Sequence, residues 1–195
     1  MMDALPAWEP YRRLLEAAPP GRVAECAAGL IWTMVRTEDG GVGVARTYQE
    51  GLDASVVPGA VAGEDLRTVC GWLTSWNFFE AAIGCAALNA VMNGRERVEA
   101  MTGTSLEAMA VGGTELFDHI AGRFAGRRVT VVGHFPVLRR MAGMCELTIL
   151  ERRPGSGDLP DPACEYVLPR QDCVCITGAA VANKTLPRLL ELIEV

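Results

Sequence analysis

The sequence predicts an α/β protein whose second half is a Rossmann-like unit. Two observations carry the second half. From Arg128 onward, β-branched runs alternate with helical stretches, the rhythm of a parallel sheet with helical crossovers. Within it, VTVVGHFP takes a buried strand into a glycine and then into a helix start. A third observation sets the first half apart. It reads as strands around a Gly-rich turn followed by two helices, an α+β pattern.

The elements follow in order. Tyr11 to Ala18 reads as a short helix, ended by Pro19-Pro20-Gly21. Arg22 to Thr37 is rich in small and β-forming residues and reads as one strand. It turns at Glu38-Asp39-Gly40-Gly41 into a second strand, VGVARTY. A third short strand is expected near Ala54 to Val57. Glu64 to Ser75 places Leu66, Val69, Cys70, Leu73 and Trp76 at helical spacing, so one face is expected to be buried. Asn77 to Met92 is apolar nearly all round, so it is a helix covered on most sides. Asn77 with Glu80 three residues on is a capping-box pattern, and Thr104 with Glu107 repeats it. Gly112-Gly113 reads as a hinge, giving domains 1–112 and 113–195. After a helix over Thr114 to Arg123 come strands at Arg128–Val132, Cys145–Leu150 and Cys173–Thr177. A helix is expected at Pro136–Ala142, and a closing one at Ala179–Glu194.

Composition bounds the function. At 195 residues, half of them apolar, the chain has ample material for a core. A net charge of −6 and a pI of about 5.0 argue against a nucleic-acid binder. No apolar run reaches membrane-spanning length. Met1 to Glu16 shows no apolar signal core, and the seven cysteines are odd in number with several in apolar runs. The expectation is a cytoplasmic protein with reduced thiols. Of 18 Lys and Arg residues, only Lys184 is a lysine. Compositional bias accounts for that, or else the position needs a compact charge or a titratable amine.

The candidate site gathers where strands end. Open α/β sheets bind ligands at the carboxyl ends of their strands. There Gly133, His134 and Phe135 precede a helix start that offers N–H groups to an anion or polar ligand. His134 is suited to ligating a metal or moving a proton. The second and third glycines of Gly-x-Gly-x-x-Gly are missing, so no NAD site of that type is expected. Glu151 stands 18 residues after Gly133, close to the spacing of a ribose-binding acid. It is equally a metal ligand beside His134, or a surface carboxylate paired with Arg152 or Arg153. Thr177 and Gly178 end the third strand at the same edge, with Asn183 and Thr185 within two helical turns. Glu80 is either a cap or a carboxylate aimed at an interdomain crevice. Cys173 and Cys175 lie on one strand face at a spacing that suits small apolar packing better than metal.

VVGHFP, ILERRPGSGDLP and DCVCITGAAVANKT, in this order, together with the upstream FFEAAIGCAALNAVMN, resemble the family described as "putative heavy-metal chelation". The resemblance runs from about Gly29 to Leu192. It implies an enolase-N-terminal-like α+β domain joined to a Rossmann-like domain. It implies a cleft between them that handles a divalent or heavy metal ion, or a small-molecule chelate of cobalamin, haem or siderophore metabolism. The matching loop positions are Gly133, His134, Phe135, Glu151, Thr177, Gly178, Asn183 and Thr185. Family members continue past the last helix, so the end at Val195 reads as a shortened Rossmann-like half whose open edge would pair in a homodimer. Two other readings stand beside this one. One is an enzyme or sensor for a small organic anion or nucleotide-like ligand. The other is a non-catalytic dimeric interaction module.

Overall fold

The computed structural model describes residues 8–48, 58–106 and 113–193. The expected strand near Ala54–Val57, Gly112 of the hinge, Glu107 of the second capping pattern and Glu194 lie outside the described residues. The chain divides into two compact units. One holds the described residues up to Leu106 together with Val181–Lys184; the other holds the rest.

The first unit begins with α1 (Glu9–Glu16) and a three-stranded antiparallel sheet of β1 (Val23–Ala28), β2 (Trp32–Thr37) and β3 (Val42–Arg46), in that order. Arg22–Thr37, expected as one strand, is broken in two. The Gly29 N–H donates to the Trp32 carbonyl at 2.9 Å and closes a turn that returns the chain antiparallel. A single strand of that length would span roughly 50 Å at 3.3 Å per residue, more than a small core can cover. Thr33, Val35 and Thr37 of β2, with Gly43 and Ala45 of β3, form the buried face.

Against that face lies α3 (Phe78–Met92), reached through α2 (Leu66–Gly71) and a 3₁₀ turn at Trp72–Thr74. A Cβ on Gly43 would stand 2.2 Å from the Ala86 carbonyl oxygen and from the Ala90 nitrogen. Only glycine admits so close a contact between helix and strand backbones. α3 is covered on its other side as well, where a Cβ on Gly84 would stand 2.2 Å from the Leu73 nitrogen, so it is apolar nearly all round. Asn89, its internal polar residue, donates from Nδ2 to the Val44 carbonyl of β3 at 2.9 Å. α4 (Arg95–Thr102) follows α3.

The cap of α3 departs from the expected box. Asn77 Oδ1 accepts from the N–H groups of Phe79 and Glu80 as expected. Glu80, however, is not paired with the Asn77 N–H. That group donates to Ser75 Oγ at 3.0 Å, and the Ser75 hydroxyl in turn donates to Glu80 Oε2.

The second unit opens with α5 (Gly113–Arg123). Its four-stranded sheet has β4 (Arg128–Val132), β5 (Glu146–Glu151), β6 (Leu159–Pro160) and β7 (Cys173–Ile176) in the order β6-β5-β4-β7, every pairing parallel. Central β4 is buried through Val129, Thr130 and Val131, as its β-branched run requires. Val129 and Val131 pack with Ala121, Leu138 and Met141. A further buried cluster joins Leu150, Leu168, Ala180, Leu189 and Leu192. A four-residue helix, α6 (Cys164–Val167), precedes β7. Cys173 and Cys175 sit against the first of these clusters, as apolar packing residues.

Two expected helices come out differently. Pro136–Arg140 is a 3₁₀ helix, not an α-helix. The closing helix is split into α7 (Ala179–Ala182) and α8 (Leu186–Glu191), because Lys184 takes a left-handed φ of 67° that no helix accommodates. Among the described residues, no helix is long and apolar enough to cross a membrane.

Candidate functional site

The carboxyl edge of the parallel sheet carries the site. β4 ends in Gly133 at φ 108°, a conformation that L side chains rarely adopt. Its N–H donates to the Leu150 carbonyl of β5 at 2.8 Å, while the Thr177 N–H donates to the Val132 carbonyl at 3.0 Å. A Cβ at Gly133 would lie 3.1 Å from Thr177 Cβ and 3.4 Å from Phe135 Cε2. The ends of β4, β5 and β7 are thus tied together around one glycine.

His134 follows directly. Its backbone N–H donates to Glu151 Oε2 at 2.9 Å, and the other oxygen of Glu151 accepts the Arg153 N–H at 3.2 Å. Glu151 therefore holds two loops in place through its carboxylate. The His134 ring meets a different acid. Nδ1 lies 2.8 Å from Oδ2 of Asp158, which also accepts the Gly155 N–H at 2.9 Å. The Asp158 side chain is 2% exposed, that of His134 46%. Burial pushes the Asp158 carboxyl upward, but the Gly155 N–H and the His134 ring outweigh it and hold the group below its ordinary value.

A pocket of about 200 Å³ opens beside this pair. Phe135, Leu138, Leu147 and Ile149 give it apolar walls, and His134, Arg139, Ser156 and Asp158 supply polar side chains. The Phe135 ring is seated by Phe117 of α5, centroids 5.3 Å apart.

The edge brings together Gly133, His134, Phe135, Glu151 and Thr177, with Gly178 next in the chain. Thr177 Oγ1 accepts the Ala179 N–H at 3.3 Å. Thr185 stands at the start of α8. Glu80 and Asn183 belong to the first unit, where Glu80 is bonded to Ser75. The α-helical N-terminus expected after Phe135 is replaced by the 3₁₀ turn, so the anion-binding argument from a helix dipole does not hold there. Asp158 was missed in the sequence reading. Its one signal is its place at the end of PGSGD, a Gly-rich turn entering a strand. Among the described residues, no group of three or more His, Cys, Asp or Glu side chains is placed to hold a metal ion. A single imidazole backed by a carboxylate is the arrangement metal-ligating histidines use, so the residues fit one bond to a metal.

Two family models, DUF4213 over residues 11–92 and DUF364 over residues 115–195, match the chain; both are described as "Putative heavy-metal chelation". The chain belongs to the DUF364 family. It is similar to a DUF364 protein of unknown function from Desulfitobacterium hafniense, with 36% identity and a TM-score of 0.80, over 95% of this chain and 72% of that one. A DUF364 protein of unknown function from Pyrococcus horikoshii, 22% identical, shares the fold with a TM-score of 0.66, over 93% of this chain and 72% of that one. No curated protein matches. Membership of DUF364 supports a metal-related role in general terms.

Proposed function

We propose that the chain binds a metal chelate, with His134 Nε2 as the protein's bond to the metal. The observation that carries this is the contact of His134 Nδ1 with the buried Asp158 carboxylate. An Nδ1–H donated to Asp158 fixes the tautomer, so the Nε2 lone pair is the one offered outward. The carboxylate also makes the imidazole a better donor. The other nearby acid, Glu151, has its oxygens on the backbone N–H groups of His134 and Arg153. One imidazole suits a metal whose remaining positions are filled by an organic chelator. The apolar walls of Phe135, Leu138, Leu147 and Ile149 support an organic ligand over a hydrated ion. At about 200 Å³ the pocket accommodates an edge of such a ligand rather than a whole tetrapyrrole. Siderophore, haem and corrinoid chelates are the classes to compare.

The test is a visible-spectrum titration with a ferric catecholate, ferric protoporphyrin and a cobalamin, run beside free Zn²⁺ and Co²⁺. A shift with at least one chelate, lost in His134→Ala, is expected. The reading fails if His134→Ala reproduces the wild-type shift, or if free ions alone bind.

A further inference from the structure

The pocket beside His134 is lined by a cation that the fold itself does not engage. Arg139 stands in the 3₁₀ helix Pro136–Arg140 and lines the pocket with the apolar walls of Phe135, Leu138, Leu147 and Ile149. Its helix neighbour Arg140 is occupied, with Nη1 3.4 Å from Oδ2 of Asp118 on α5. Arg139 has no hydrogen bond or ion pair among the described residues. The acid of the pocket is taken up elsewhere. Oδ2 of Asp158 meets His134 Nδ1 at 2.8 Å and the Gly155 N–H at 2.9 Å. A guanidinium and a carboxylate thus line one pocket without pairing. Ser156 lines it too, in a turn closed by the Asp158 N–H on the Gly155 carbonyl at 3.2 Å. Its hydroxyl has no partner among the described residues.

We propose that Arg139 binds a carboxylate on the organic part of the ligand, so that the pocket selects carboxylate-bearing chelates over neutral ones. This rests on the proposed chelate binding at His134 and names the class of chelate. The planar guanidinium fork matches a carboxylate with two parallel N–H···O bonds. The Ser156 hydroxyl offers a further donor. The apolar walls lower the local dielectric and strengthen such bonds. Charge narrows the choice of anion. A doubly charged phosphate would be repelled by the Asp158 carboxylate in the same pocket, whereas a singly charged group matches the one free guanidinium. The ligand then has three parts: a metal at His134 Nε2, an apolar stretch against the four walls, and an anionic arm at Arg139.

The experiment titrates the full chain at pH 7 with two matched pairs of probes. One pair is ferric protoporphyrin and its dimethyl ester; the other is ferric citrate and ferric acetohydroxamate. The first member of each pair carries carboxylates and the second has none free. In at least one pair the carboxylate form is expected to bind about fivefold tighter, the upper end for an ion pair made by an exposed side chain. The gap should shrink at high salt. Arg139→Gln should erase it by weakening the carboxylate form alone. Arg139 makes no bond in the fold, so this variant should unfold at the wild-type midpoint. His134→Ala should weaken both members of a pair alike and leave their ratio unchanged.

Iron-free protoporphyrin separates the two readings. If its acid is still preferred over its ester and His134→Ala changes nothing, the metal bond fails while Arg139 stands. Equal binding within both pairs would overturn the proposal. So would Arg139→Gln weakening the neutral form as much as the acid, or no binding by any probe.

Discussion

His134 Nδ1 and Asp158 Oδ2 lie 2.8 Å apart, although the residues are 24 positions apart in the chain and the Asp158 side chain is 2% exposed. This pair positions the imidazole on which the proposed chelate binding depends.

Asp158→Asn keeps the shape of the side chain and removes its charge. Chelate affinity through His134 is expected to fall about 10- to 100-fold, the usual effect of removing a ligand's hydrogen-bonded support. A pH signature accompanies it. The Asp158 carboxyl is held below its ordinary value of 3.8, so it stabilises the fold above that value. The contribution is lost as pH falls through the lower, folded value. Urea midpoints of wild type and Asp158→Asn should therefore differ near neutral pH and converge in strong acid. A constant gap at every pH would assign the stability effect to packing.

Gly133→Ala tests the loop that presents His134. The new Cβ would meet Thr177 Cβ at 3.1 Å on a backbone at φ 108°. A cost of about 1–3 kcal/mol is expected from the strained conformation. Chelate titration of the folded variant should show weakened binding, because relief of the strain moves the residue that follows. Unchanged affinity would show that the loop tolerates the side chain.

Gly43→Ala probes the contact of β3 with α3. The Cβ would stand 2.2 Å from the Ala86 carbonyl oxygen, a backbone atom that cannot rotate aside. Denaturant unfolding should show a loss at or above the overpacking range of about 1–3 kcal/mol. Gly59→Ala, where a Cβ meets nothing within 4 Å, is the control and should change stability by less than about 0.5 kcal/mol.

Tyr11→Phe removes the hydroxyl that donates to the Val181 carbonyl at 2.8 Å. The expected loss is about 0.5–1.5 kcal/mol, with faster amide exchange across Val181–Lys184. Burial raises the Tyr11 phenol above its ordinary 10, so its neutral form favours the folded state. That increment is present below about pH 10 and lost as pH climbs toward the folded value. Tyr11→Phe should lose less stability than wild type over that alkaline range. Identical alkaline curves for the two proteins would remove Tyr11 as the group responsible.

Local pattern was legible wherever a residue's own chemistry decided its state. The β-branched run Arg128–Val132 became the central parallel strand. The apolar stretch after Asn77 became a helix capped by that asparagine. Gly133 stood at a strand end with positive φ. The strand reading failed at Gly29–Ile31. Residues Arg22–Thr37 are β-forming throughout, and the core needs two short antiparallel strands rather than one long one. The Glu80 reading erred in the partner. A carboxylate three residues into a helix suits a box, but the Asn77 N–H donates to the Ser75 hydroxyl, which in turn donates to Glu80.

The sequence by itself determined the α/β class, the glycine that ends β4, the histidine after it and the chain's membership of its family. Periodicity, turn residues and motif order are local and are written in neighbouring letters. Tertiary structure alone decided that Asp158, not Glu151, meets the His134 ring, and that Val181–Lys184 packs with the first unit through Tyr11, 170 positions away. Such pairs depend on where the strands and turns end in space. A side chain's charge state and reach are set by that meeting, and no spacing in the chain encodes it.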